Sequence, residues 1–276
     1  MIGIFVNGAF QGASRGSAVV GKVRLDSLLV DRGYFPSVDE ALRAVMAHEV
    51  KVGDVYATSA AQLVSPDADV QVKDRQRFVS RGGWKLQGAL SVFGQDVTGL
   101  RCVDVGCSTG GFTDCLLQAG AASVAAVDVG YGDLAWKLRQ DERVAVFERT
   151  NIRVADPVAL GAPFDLIVAD LSFIGLASLA PVFARLAQPG SVFIGLVKPQ
   201  FESRHDETDD RGLVVDEDVR IRTVQEVVNA LEQEGFSVVD AVESSLRGKR
   251  SGNVEYLVKA EYVGEHVDGD KLINAE

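Results

Sequence analysis

The chain has 276 residues, 47% hydrophobic and 24% charged, with a formal net charge of −11 at pH 7. That length holds one large and one small domain with ample core, and the acidity excludes a uniformly basic nucleic-acid binder while leaving room for a local basic patch. Three cysteines without CxxC spacing and three scattered histidines exclude a disulfide framework or a histidine metal cluster.

A reducing, cytoplasmic setting is expected, without stable membrane association. No secretory leader is read near the start, and the most apolar stretch, 173–197, is broken by Pro181, Arg185, Gln188 and Pro189. Residues 1–21, rich in Gly, Ala and Ser without a sustained period, are expected to be a flexible extension, and 265–276 a tail.

In Arg24-Leu-Asp-Ser-Leu-Leu-Val30 the leucines are spaced for an amphipathic helix that Gly33 ends. Ser37-Val-Asp-Glu40 is a capping box opening a second helix, with Ala41, Leu42, Val45 and Met46 expected on one face. Short strands are predicted at 50–52, 55–57 and 70–72. This order, with Arg24-Leu-Asp26, Leu28-Leu29, Arg32-Gly33, Ala41 and Val50-Lys-Val52-Gly53, resembles the alpha-L RNA-binding module of the S-four type over 22–72. The segment departs from that type in charge, with five basic against eight acidic residues and Val38 where a basic residue is usual. Electrostatic affinity for RNA within it is therefore weak; a small protein-interaction module is the other reading.

The next stretch reverses the sign. Lys73-Asp-Arg-Gln-Arg-Phe-Val-Ser-Arg-Gly-Gly-Trp-Lys85 carries basic residues at 73, 75, 77, 81 and 85 with Phe78 and Trp84 interleaved. Such a mixture suits phosphates and unpaired bases. Residues 73–82 read as a basic linker, with Gly82-Gly83 a turn before a helix at 86–93. The candidate RNA contacts are Arg24, Arg43, Arg75, Arg77 and Arg81, joined by Lys249 and Arg250 from Arg247-Gly-Lys-Arg250.

At residue 101 a strand runs into glycines: Val103 and Val105 alternate with Asp104 and Gly106, and helical spacing resumes at Thr113. Strand, glycine loop and helix form the ligand-binding position of an open α/β sheet. Gly106, Gly110 and Gly111 are expected to let a ligand approach the backbone. A phosphate loop would need a Gly-Lys-Ser/Thr ending, and the loop has no lysine. The second strand, Ser123-Val-Ala-Ala-Val-Asp-Val129, places Asp128 to accept from a ribose diol, as in both NAD- and S-adenosylmethionine (SAM)-binding folds. Asp104 ahead of the glycines is more typical of SAM enzymes. Asp104, Gly106, Cys107, Ser108, Thr109, Gly110, Gly111, Phe112, Thr113, Asp128 and Asn151 are the candidate cofactor residues.

From there strands and helices alternate, implying a mainly parallel sheet with helices on both faces. Helices are predicted near 133–139, 176–186 and 219–231, and strands at 144–147, 164–170, 191–198, 236–242 and 254–258. Residues 199–216 read as a mobile acidic loop. Asp170 and Lys198 end adjacent strands at the edge carrying the glycine loop, and ionisable groups there are unusual without a role; a structural salt bridge between them is the bland alternative.

Lys85, Asp170, Lys198 and Glu255 match, in order, the Lys-Asp-Lys-Glu tetrad of FtsJ-like ribose 2′-O-methyltransferases. Val79-Ser-Arg-Gly-Gly83, Asp104-Val-Gly-Cys-Ser-Thr-Gly-Gly-Phe-Thr113, Thr150-Asn-Ile-Arg153, Ala169-Asp-Leu-Ser-Phe173, Val197-Lys-Pro-Gln-Phe-Glu202 and Gly252-Asn-Val-Glu255 look like the TlyA family, hemolysin-annotated rRNA methyltransferases with an alpha-L module in front. The resemblance covers about 22–262. It implies a class I SAM-dependent methyltransferase fold at 83–264, Rossmann-like with a seven-stranded mainly parallel sheet, behind a small α+β module. It also implies methyl transfer from SAM to cytidine 2′-hydroxyls of large-subunit ribosomal RNA and, for some members, small-subunit RNA, with the ribosomal subunits as partners. Lys198 is the family's presumed base, although Asp170 beside it favours an ammonium; orientation of the acceptor, with Lys85 and Glu255, is the expected contribution of the pair. An RNA-binding assembly factor and a membrane-acting hemolysin are the readings from other classes.

Overall fold

The computed structural model describes residues 22–35, 37–73, 77–248 and 252–264, and the chain divides into two compact units, one ending at Val79 and the other beginning at Ser80. The expected extension, the expected tail, Arg75, Lys249 and Arg250 lie outside the described residues.

The first unit contains β1 (Val23–Arg24), α1 (Leu25–Asp31), α2 (Val38–Met46), β2 (Val50–Val52), β3 (Val55–Tyr56), β4 (Leu63–Val64) and β5 (Val70–Val72). Leu25, Leu28 and Leu29 of α1 pack with Ala41, Ala44 and Val45 of α2 over Val50, Val70 and Val72. The Ser37 hydroxyl accepts from the Glu40 amide at 3.3 Å, so the cap starts α2 where the sequence placed it. Leu42 and Met46 do not join the buried face; they are 43% and 73% exposed because Ala44 and Val45 occupy that side. β2 pairs antiparallel with β3 and β5. β4, too short to leave an alternating pattern, pairs with β1. Arg32 donates to the carbonyls of Pro66 (2.5 Å) and Ala68 (2.7 Å), a structural use of a basic residue.

The second unit opens with α3 (Arg81–Val92), followed by β6 (Arg101–Val105), α4 (Gly111–Gln118), β7 (Ser123–Val127), α5 (Trp136–Arg139), β8 (Val144–Phe147), α6 (Pro157–Leu160), β9 (Leu166–Ala169), α7 (Ala180–Leu186), β10 (Val192–Val197), α8 (Pro199–Glu202), α9 (Glu217–Gln233), β11 (Phe236–Glu243) and β12 (Tyr256–Tyr262). The sheet order is β11-β12-β10-β9-β6-β7-β8. β8, β7, β6, β9 and β10 run parallel, and β12 is antiparallel to both β10 and β11.

Period-two alternation splits β6 between two packed faces. Val103 and Val105 join Ile167, Ala169, Phe193 and Val197 against Phe183 and Leu186 of α7 and Val224, Val227 and Leu231 of α9. Asp104 therefore points to the opposite face, where Thr113 of α4 meets it.

Two further expectations change. Gly82-Gly83 is not a turn: it lies in the first turn of α3, which begins five residues earlier than the apolar spacing suggests. Their backbone lies against α4: a Cβ on Gly111 would come within 3.0 Å of the Gly83 nitrogen and 3.2 Å of the Gly82 Cα. The stretch expected as a mobile loop, 199–216, instead contains α8, a single 3-10 turn at His205–Glu207, and an anchor. Asn253, fully buried, accepts from the Val214 amide (3.0 Å) and donates to the Gly212 carbonyl (2.8 Å).

Candidate functional site

The glycine loop joins β6 to α4 through left-handed conformations at Gly106 (φ 84°), Ser108 (φ 47°) and Gly110 (φ 91°). Cβ atoms at these glycines would meet protein neighbours. A Cβ on Gly106 would lie 2.7 Å from Leu171 Cδ2, one on Gly110 would collide with Leu138 and lie 2.7 Å from Leu134 Cδ1, and one on Gly111 would strike the Ser80 hydroxyl. The loop amides are similarly committed: those of Gly106 and Cys107 donate to the Val127 carbonyl (2.8 and 3.1 Å), and that of Gly110 to the Cys107 carbonyl (2.7 Å).

Two carboxylates border the loop. Asp104, wholly buried, accepts from the Thr113 amide (2.9 Å) and hydroxyl (2.6 Å) through Oδ2. Its Oδ1 is buried without a hydrogen-bond partner among the described residues. Burial pushes this carboxyl up to about 7, opposed by the Thr113 bonds. Asp128 follows β7; one oxygen accepts from the Ser108 amide (2.8 Å) and the other from the Gly130 amide (2.7 Å). Each of its oxygens retains a second lone pair. Cys107 and Phe112 are buried, whereas Ser108 and Thr109 are exposed. Asn151, also exposed, caps its own turn by accepting from the Arg153 amide at 3.1 Å. Burial raises the Cys102 thiol to about 12 and pushes Cys107 up as well, which leaves both poor nucleophiles at neutral pH.

The four residues of the tetrad form two ion pairs. Asp170 directly follows β9, its amide donating to the Val105 carbonyl (3.3 Å) beside the glycine loop. Lys198 directly follows β10, and its Nζ lies 2.6 Å from Asp170 Oδ1 and donates to the Ser172 hydroxyl at 3.2 Å. The Lys198–Asp170 approach is close, but its angles fall outside hydrogen-bond geometry, so it is an ion pair without an aligned hydrogen bond. Lys85 on α3 pairs with Glu255, which immediately precedes β12 and so lies outside the strand that was expected to carry it. Gly82 and Lys85 share a helix face at i, i+3. The Gly82 Cβ position lies 3.6 Å from Asp170 Oδ2, so the start of α3 abuts one pair while its next turn makes the other.

Ser172, Glu202 and Asn253 join this neighbourhood although the sequence reading gave them no role. All three sit in stretches that resemble the TlyA family, but the signal that marks each is a contact partner distant in sequence.

The basic residues are more committed than their charges suggest. Arg24 grips Asp26 with Nε at 3.0 Å and Nη2 at 2.5 Å. Arg43 donates to the Asp39 carbonyl (3.2 Å) and remains exposed. Arg77 lies 5.2 Å from the Phe78 ring centroid, and Arg81 donates to the Arg247 carbonyl (3.1 Å). No described helix is long and apolar enough to cross a membrane.

A model of the FtsJ-like methyltransferase family matches residues 78–262, more than half of the chain. The 16S/23S rRNA (cytidine-2′-O)-methyltransferase TlyA of Mycobacterium tuberculosis is 44% identical over 239 residues, covering 86% of this chain and 89% of the relative. Hemolysin A of Brachyspira hyodysenteriae is 34% identical over 236 residues, covering 85% and 98%. A solved structure of a hemolysin-named protein from Streptococcus thermophilus superposes with a TM-score of 0.68 at 35% identity over 90% of each chain. The fold, the family match and these relatives agree: the chain belongs to the FtsJ-like methyltransferase family, in its TlyA branch.

Proposed function

We propose that this protein transfers the methyl group of SAM to the 2′-hydroxyl of cytidine in ribosomal RNA, in the large subunit and, in the manner of the Mycobacterium tuberculosis relative's name, also in the small subunit. The observation that carries the reading is the Lys198–Asp170 pair at the carboxyl ends of adjacent strands, beside the glycine loop. The FtsJ-like family match supports it.

The residues present fit the cofactor. An orphaned buried oxygen on Asp104, a second carboxylate on Asp128 and a loop without lysine suit a cationic group with a ribose, not a polyphosphate. Asp104 and Thr113, with Asp128 for the ribose and the Asn151 turn toward the base, would hold it. When bound, SAM supplies an electrophilic methyl group. The chain's own work is to align the 2′-oxygen and manage its proton. Lys198 is ion-paired to Asp170. It orients the hydroxyl and stabilises the developing oxyanion. The departing proton then needs a carboxylate, and Asp170 is the one beside Lys198. Lys85 and Glu255 hold the helix whose start abuts Asp170.

Residues 22–72 serve as an alpha-L module that binds structured RNA, residues 73–82 as the basic connection and 83–264 as the methyltransferase domain. Arg43, Arg75, Arg77, Arg81, Lys249 and Arg250 supply phosphate contacts; Arg24 contributes less because Asp26 already holds it. Base edges in duplex RNA are poorly accessible, so target choice rests on ribosomal shape and an accessible nucleotide.

Two experiments test the reading. Maps of 2′-O-methylation in rRNA from cells with and without the gene should differ at cytidines. Purified protein should methylate intact subunits far better than a short cytidine-containing oligonucleotide. Identical maps, or methyl groups on base atoms, would overturn it.

A further inference from the structure

Two loops make the wall on which the acceptor chemistry sits. One, after β9, carries Asp170 and Ser172; the other, after β10, carries Lys198. Loops are ordinarily the least rigid part of a sheet edge, whereas in-line transfer needs its groups held within fractions of an ångström. Lys198 bridges the loops at one end, to Asp170 and Ser172. Phe173 and Phe201 bridge them again, with ring centroids 5.6 Å apart. Phe173 is held at φ 68° and is 90% exposed, so its own burial cannot fix this loop.

The third bridge is Glu202, the last residue of α8. Its Oε1 accepts from the Leu176 amide at 2.5 Å, and the Ala177 amide also points at the carboxylate. Those amides open the 3-10 turn at Ala177–Leu179 that leads into α7, so the carboxylate satisfies donors at a helix start. Gly175 completes the fit. A Cβ there would collide with Glu202 Oε2 and lie 3.1 Å from the Phe201 carbonyl, so the two loops touch at a position only glycine allows. Burial pushes the Glu202 carboxyl up to about 7. The two amides oppose that shift, and Glu226 on α9 adds to it.

We propose that Glu202 is a positioning residue for methyl transfer, a strut that ties the Asp170–Ser172 loop to the Lys198 loop and sets the separation of Lys198 and Asp170. The assignment rests on the 2′-O-transfer reading above. It makes Glu202 act through the two charged residues and not on the substrate.

The test is single-turnover and steady-state methylation of intact ribosomal subunits by the full chain, wild type beside E202A, E202Q and G175A, with SAM affinity measured by calorimetry. E202A is expected to lower kcat about 10- to 100-fold, with KM for the subunit and SAM affinity changed less than about two-fold, as loss of an interaction made only in the transition state requires. E202Q keeps an acceptor for the Leu176 amide and is expected to retain most of kcat. G175A, with Glu202 intact, is expected to reproduce the E202A loss, and it decides the matter if E202A does not fold. Wild-type kcat in E202A or G175A, an effect confined to KM or SAM affinity, or an E202Q as impaired as E202A overturns the strut while leaving the function standing. Absence of transfer by the wild type overturns the function itself, and the strut with it.

Discussion

Lys85 and Glu255 stand 170 residues apart in sequence and form a buried ion pair, with the side chains only 10% and 3% exposed. The pair fastens the first helix of the methyltransferase unit to the start of its final strand. Its energetics differ from those of the second pair, Lys198–Asp170, and the difference is measurable.

Lys85→Ala leaves Glu255 buried without its counter-charge. The expected cost is about 3 to 5 kcal/mol in a urea titration. Replacing both residues, as in K85A/E255A, should recover part of that loss. A single variant as stable as wild type would show that the pair is not holding the unit together.

Lys198→Ala and Asp170→Asn should behave in the opposite way. Their pair is wetter, with Asp170 23% exposed, so the stability change should stay near 1 to 2 kcal/mol. Methyl transfer should fall by at least about 10²-fold, since oriented charge at the reacting oxygen is lost. SAM affinity, read by calorimetry, should hold. If activity fell only in proportion to lowered melting temperature, the pair would be a structural salt bridge and nothing more.

Asp104 makes stability depend on pH. Its carboxyl is raised from 3.8 to about 7 by burial. Folding therefore favours the protonated form, and this group's contribution is fully present below about pH 4 and lost as pH rises through 7. Asp104→Asn keeps an acceptor for Thr113 and removes the titration. The melting-temperature difference between variant and wild type should therefore move in favour of the variant from pH 5 to pH 8. A gap that does not change with pH counts against this account.

Gly111→Ala tests the packing of α3 on α4. The new methyl would strike the Ser80 hydroxyl and lie 3.0 Å from the Gly83 amide nitrogen and 3.2 Å from the Gly82 Cα. Backbone at those distances cannot yield without moving a helix, so a loss of about 1 to 3 kcal/mol is expected. At roughly 2 to 4 °C per kcal/mol for a unit of this size, the shift is readable by calorimetry. A wild-type melting temperature would mean the helices separate at no cost.

Much of this protein is written locally. The alternation around Val103, the apolar runs that hold Val127 and Ile167, the glycine corner after β6 and the Ser37 cap are fixed by neighbours two to four residues away. The main strand and helix order and the mainly parallel sheet follow from the sequence for that reason. So does the identity of the tetrad, because its residue types recur in order beside recognisable stretches. Pairwise geometry is another matter. That the tetrad splits into Lys85–Glu255 and Lys198–Asp170, that the glycines at 106, 110 and 111 make room for protein atoms, and that Glu202 and Asn253 anchor a stretch taken for a mobile loop all depend on contacts between segments far apart in the chain. Burial at Asp104 is of the same kind. The sequence places an acid before the glycines, but only the packing of Thr113 and α4 over that face removes it from water and raises its proton affinity.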